Sequence, residues 1–101
     1  MADIDKYLKY AVNMEASDLH LASETRPMMR VHGRMVPALG DQTEVLTTAE
    51  MQRLVKEIMP QRSKDELGER FDTDFAYAVD GLGRFRVNVF RSHHGIGTVL
   101  R

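Results

Sequence analysis

From residue 72 to residue 101 the apolar residues recur at every second position through three successive runs, interrupted only by turn signals. DTDFAYAV sets Phe75, Tyr77 and Val79 on one side, and DGLG at 80–83 reads as a turn. GRFRVNVFRSHHGIGTVLR at 83–101 then runs out, turns at His93-His94-Gly95 and alternates back. A period of two is the signature of a strand, and connections this short join only antiparallel neighbours. A chain ending this way is committed to a hairpin-connected antiparallel sheet.

The remainder supplies helices to cover that sheet. Residues 3–14 read as a helix with Ile4, Tyr7, Leu8 and Ala11 on one face and Asp3 as N-cap. ASDLHLA is a short strand, SETRP a loop, and MMRVHGRMVPAL a hairpin turning at His32-Gly33. LGDQTEVL at 39–46 is the one long loop. Thr47-Thr48-Ala49-Glu50 is a capping box ahead of a stripe of Met51, Leu54, Val55, Ile58 and Met59. Pro60 ends that helix and opens the next, where Ser63-Lys64-Asp65-Glu66 reads as a second capping box for a short helix at 61–70 carrying Leu67. The order is helix, three strands, two helices, three strands, with no alternation of strand and helix. This predicts a single α+β domain over 1–101, with an antiparallel sheet and helices against one face. Periodicity leaves the strand order open.

Composition narrows the function classes. The 101 residues carry 14 basic and 15 acidic side chains, without the basic excess that nucleic-acid binding requires. There is no cysteine, which removes disulfides and thiolate metal sites. His93 and His94 are adjacent and point apart, and His20 and His32 have no partner at ligand spacing, so no metal site is expected. No G-x-x-x-x-G-K-[ST] is present, so the chain cannot hold a nucleotide by a P-loop, and GLGRF opens a strand rather than a helix. Asp18 and His20, two apart on one strand, read as a local hydrogen-bonding pair or as an acid–base pair.

The terminal hairpin holds the sharpest anomaly. A two-residue loop pairs Ser92 with Gly95, a four-residue loop pairs Arg91 with Ile96, and both give one register. In it Arg86 lies opposite Arg101, Val87 opposite Leu100 and Asn88 opposite Val99. Phe85, Val87, Val89 and Leu100 then share the core face, and Arg84, Arg86, Asn88 and Arg101 the other, beside Phe90 and Val99. Like charges directly opposite in a sheet repel. Either acids on a neighbouring strand, Asp72 or Asp74, neutralise the pair, or an anion such as phosphate sits between the two guanidinium forks.

EASDLHLASETRPMMRVHGRMVPAL followed by DTDFAYAVDGLGRFRVNVFRSHHGIGTVLR resembles the N-terminal domain of the type IV pilus retraction ATPases (PilT-like), in the secretion ATPase superfamily. The ASDLHL box, the P-x-x-R-V-x-G hairpin and the GRFRVN-x-F run occur in order, and the resemblance spans essentially the whole chain. It implies a PAS-like sheet flanked by helices, ahead of a RecA-like ATPase core whose Walker motifs are absent here, so this chain alone is expected not to be catalytic and to be an excised or truncated domain. It implies ATP with Mg in the full-length protein, bound between the two domains, and none bound to this fragment. It implies Arg86 and Arg101 as sensors of the γ-phosphate, with Arg84 and Arg91 as secondary candidates. The implied partners are the C-terminal ATPase domain of its own and neighbouring subunits in a homo-hexamer, and the pilus platform of the inner membrane, with no nucleic acid. The implied setting is cytoplasmic and peripheral to that membrane, powering pilus retraction and twitching motility. Two other readings compete: a free-standing PAS-like ligand sensor, and the equivalent domain of a pilus-extension or type II secretion ATPase.

Overall fold

The computed structural model describes residues 2–39, 44–92 and 95–101. Among them the chain forms α1 (Asp5–Asn13), β1 (Asp18–Ala22), β2 (Met28–Val31), β3 (Arg34–Pro37), α2 (Thr48–Ile58), α3 (Gln61–Arg70), β4 (Asp72–Val79), β5 (Gly83–Ser92) and β6 (Gly95–Leu100). The expected α+β class and element order hold.

The helix faces are those the spacing predicts, and two of the starts differ. Ile4, Tyr7, Leu8 and Ala11 are buried along α1, but Ile4 occupies the cap position and makes no side-chain cap bond. Asp3 is drawn instead to α2: its carboxylate pairs with Arg53 at 2.5 Å, and its N–H donates to Glu57 Oε1 at 2.9 Å. Thr47 caps α2 as expected, its Oγ1 accepting the Glu50 N–H at 3.1 Å, while the Glu50 carboxylate accepts the Thr47 hydroxyl at 3.4 Å. Met51, Leu54, Val55 and Met59 are buried and Ile58 half-buried. The second capping box does not form. The fixed φ of Pro60 prepares the chain for a helix starting at Gln61, which leaves Ser63 inside the helix, buried, with its hydroxyl unpartnered.

The sheet is antiparallel throughout, in the order β3-β2-β1-β6-β5-β4. The β2–β3 turn uses positive φ at His32 (50°) and Gly33 (79°), the pattern of a type I′ hairpin. The first and last strands meet in the middle, joining an N-terminal hairpin to a C-terminal meander. Beyond the end of β1, the Ser23 hydroxyl donates to the Ile96 carbonyl and accepts the Ile96 N–H, both at 3.1 Å. Gly95 makes that approach possible: its φ is +123°, and a Cβ there would lie 2.6 Å from Ser23 Oγ. Of the long loop at 39–46, residues 40–43 lie outside the described residues, and its end is pinned by the Leu46 N–H to the Thr25 carbonyl at 2.9 Å.

All three helices pack on one face of the sheet. Under them a row of cross-strand neighbours, Met29, Leu19, Leu100, Val87 and Phe75, spans five strands and is buried throughout. One polar contact crosses the core margin. Tyr77 Oη donates to Asp5 Oδ1 at 2.5 Å, and Asp5 is only 5% exposed. Burial, then this bond, pushes the Tyr77 hydroxyl well above its ordinary value. Removing the donor strands a buried carboxylate, so Tyr77→Phe should lower unfolding free energy in urea by about 1–3 kcal/mol. A loss below about 0.5 kcal/mol would mean water replaces the phenol. No helix among the described residues is long and apolar enough to cross a membrane.

Candidate functional site: the open face of the sheet

Because the helices share one side, the other face of the sheet is covered by no element among the described residues. It carries Arg84, Arg86 and Arg101. Arg86 and Arg101 are direct opposites: the Arg86 N–H donates to the Arg101 carbonyl at 3.0 Å and the Arg101 N–H to the Arg86 carbonyl at 2.9 Å. The register read from the sequence is therefore the register observed, with Val87 opposite Leu100 and Asn88 opposite Val99. His93 and His94 themselves lie outside the described residues.

The pair is not neutralised from β4. The residue facing Arg86 there is Ala76, Asp72 faces Phe90, and Asp74 faces Asn88, whose Nδ2 it accepts at 3.2 Å. Among the described residues no ion pair within 4.0 Å involves Arg84, Arg86 or Arg101. The three arginines line an open groove of about 450 Å³ together with Asp74, Phe75, Ala76 and Phe85. Asp74 lines the same groove without making an ion pair within 4.0 Å to these arginines among the described residues, so three guanidinium groups beside one carboxylate leave an excess of donors and positive charge, which suits an oxyanion.

Arg91 is not part of this arrangement. It follows Val87 and Val89 at period two, so it projects to the helix face, where its guanidinium stands 5.8 Å over the Phe71 ring. The alternation already contained this.

Around the first residue of β1, Ser17 Oγ donates to Asp18 Oδ1 at 2.6 Å, His20 Nε2 is bonded to Asp18 Oδ2, and Arg30 Nε on β2 lies 3.7 Å from Asp18 Oδ1. Both Ser17 and His20 point at the carboxylate rather than at each other, so no base addresses the hydroxyl and the cluster is not a nucleophilic triad. The local hydrogen-bonding reading of Asp18 and His20 is the one observed. Sequence reasoning missed Ser17 and Arg30 as its partners. Arg30 is found only through the β1–β2 register. Burial works to raise the Asp18 carboxyl, but the bonds from Ser17 and His20 and the charges of His20 and Arg30 outweigh it and hold it below the ordinary carboxylate range. A carboxyl depressed in the fold adds stability that is complete above its unfolded value, near 3.9, and is lost as pH falls through its folded value. Acid titration of unfolding should therefore show a loss below about pH 4 that Asp18→Asn flattens. Identical acid limbs would mean that Asp18 adds nothing to the pH dependence. Among the described residues no three His, Asp or Glu side chains gather into a metal-binding group.

No protein-family model matches the chain. It is 34% identical over 98% of its length to the type IV pilus retraction ATPase PilT of Pseudomonas aeruginosa, and 29% identical over 98% to the type IV pilus ATPase PilU of that organism. It spans 28% and 25% of those proteins, about a quarter of their length. A crystal structure of the pilus retraction motor PilT with bound ADP superposes with TM-score 0.87 at 30% identity, covering all of this chain and 29% of that one. The ATPase DotB of Legionella pneumophila shares the fold, with TM-score 0.82 at 24% identity over 97% of this chain and 27% of its own. The open sheet face with its opposed arginines thus sits on a domain homologous over nearly its whole length to the N-terminal domain of PilT.

Proposed function

We propose that this chain is the N-terminal regulatory and assembly domain of a hexameric type IV pilus retraction motor, and that Arg86 and Arg101 reach the γ-phosphate of ATP held by a RecA-like core outside this sequence. The observation that carries the reading is the unneutralised pair: two arginines exchange both backbone hydrogen bonds on the uncovered face, with no acid in ion-pair reach among the described residues. The fit to phosphate is chemical. Each guanidinium presents paired donors to an oxyanion, and Arg84 on the rim of the groove adds charge. Mg would be held with the phosphates by the core.

The mechanism is electrostatic. Before hydrolysis the γ-phosphate draws the arginine face toward the core and closes the cleft between domains. Cleavage and release of phosphate remove that attraction, and the face withdraws under the repulsion between Arg86 and Arg101. Repeated around a ring, the cycle would drive a central partner at the inner-membrane platform. The test compares Arg86→Ala and Arg101→Ala with Arg34→Ala, a control on an exposed residue of β3, in the protein carrying the core. ATP turnover should fall in the first two and hold in the third. Equal turnover in all three would remove the sensor role. The isolated chain is expected to hydrolyse no ATP.

A further inference from the structure

Arg91 leads to a second site, on the opposite side of the sheet from Arg86 and Arg101. A cavity of about 190 Å³ lies between α2, α3 and the β5–β6 hairpin. Its lining is of two kinds. Val55, Met59, Leu67 and Ile96, each at most 8% exposed, make it apolar. Lys56, Lys64 and Arg91, all exposed, line the same space.

These cations are uncompensated. Among the described residues none of the three is within 4.0 Å of an acid, whereas Arg53 and Arg62 on the same two helices are paired with Asp3 and Glu66. The sequence leaves the lysines no helical counter-ion. One turn to either side of Lys56 stand Gln52, Arg53, Met59 and Pro60, and around Lys64 stand Pro60, Gln61, Leu67 and Gly68. The Arg91 guanidinium lies 5.8 Å from the centroid of the Phe71 ring, and among the described residues no ion pair engages its donors. Phe71 itself is 60% exposed and sits at a positive φ of 68°, a conformation that costs a non-glycine residue about 1 kcal/mol or more.

An isolated acid would gain little from exposed lysines. A small molecule would find little room, since ligand pockets run to about 300–1,000 Å³. A peptide carrying one large apolar side chain beside carboxylates uses both linings at once. We propose that this cleft docks an acidic peptide segment of a partner protein, with one aliphatic or aromatic side chain seated among Met59, Leu67 and Ile96 and flanking carboxylates against Lys56, Lys64 and Arg91. Lying on the helix side, it leaves the arginine groove open, so docking and anion binding can occur together.

The experiment titrates the 101-residue chain into a fluorescein-labelled peptide in which one leucine is flanked on each side by two glutamates, and follows anisotropy at low salt. Saturable binding is expected, weakened about tenfold by Lys56→Glu/Lys64→Glu and about tenfold when serine replaces the leucine, each a change of about 1.4 kcal/mol. Both lysines are exposed, so the double variant should keep its circular dichroism, and Lys64→Gln serves if it does not. Absence of saturation overturns the proposal. So does equal binding of the serine peptide, which would leave only a charged surface. Binding to anionic phospholipid vesicles in place of the peptide would assign the cleft to a lipid surface and overturn it as well.

Discussion

Arg86→Ala, made in the protein that carries the ATPase core, is expected to lower ATP turnover by about tenfold or more, a loss of about 1.4 kcal/mol of transition-state stabilisation. The same change should leave the isolated domain at least as stable as before. Arg86 is exposed and faces Arg101, with Ala76 as its neighbour on β4, so its charge meets repulsion and no ion-pair partner among the described residues. Truncation relieves a like-charge contact of about 0.2–1 kcal/mol. A residue kept for structure would show the reverse, with stability lost first and activity lost in proportion. Steady-state hydrolysis of the core-bearing protein, set beside thermal unfolding of the 101-residue chain, separates the two. Unchanged turnover would show that the arginine pair does not reach the nucleotide.

Leu100→Ala should be the most damaging single truncation in the domain, lowering the free energy of unfolding by about 2–5 kcal/mol. Domains of this size are stable by only about 5–15 kcal/mol, so much of the margin would go. Leu100 is 1% exposed and lies between Leu19 on β1 and Val87 on β5. Its removal opens a cavity at the seam where the N-terminal hairpin meets the C-terminal meander. Neither side can collapse inward without breaking the other's register. Val12→Ala, at 41% exposure on α1, is the comparison and should stay within about 0.5 kcal/mol. Urea unfolding of the two variants decides the matter. A Leu100 value below about 1 kcal/mol would mean that the seam is loosely packed.

The two helix starts that differ from the sequence reading share a cause. Asp3 and Ser63 are both good capping residues, and a capping rule weighs only the local backbone. Asp3 lies within reach of Arg53, fifty residues away, and a partner at that separation is invisible to local pattern. Ser63 was displaced by Pro60, whose effect on its neighbours is local and was already in the chain. Arg91 is a third case. Its face follows from the same alternation that places Val87 and Val89, which sets it apart from Arg84 and Arg86 on the same strand.

The register of the last hairpin, and with it the opposition of Arg86 and Arg101, was determined by the sequence alone. Period-two patterning and a short turn admit one alignment that keeps Val87, Val89 and Leu100 together on the core face. Only the tertiary structure decided that β6 would lie against β1. The apolar alternation of β1 would pair equally well with any strand of like pattern, and the choice rests on long-range contacts such as Ser23 with Ile96 and Leu19 with Leu100. The helices against one face were already expected from the order of the elements, whereas the strand order β3-β2-β1-β6-β5-β4 arises only where the elements meet, because a hydrophobic pattern tells each strand which face is apolar and not which strand lies beside it.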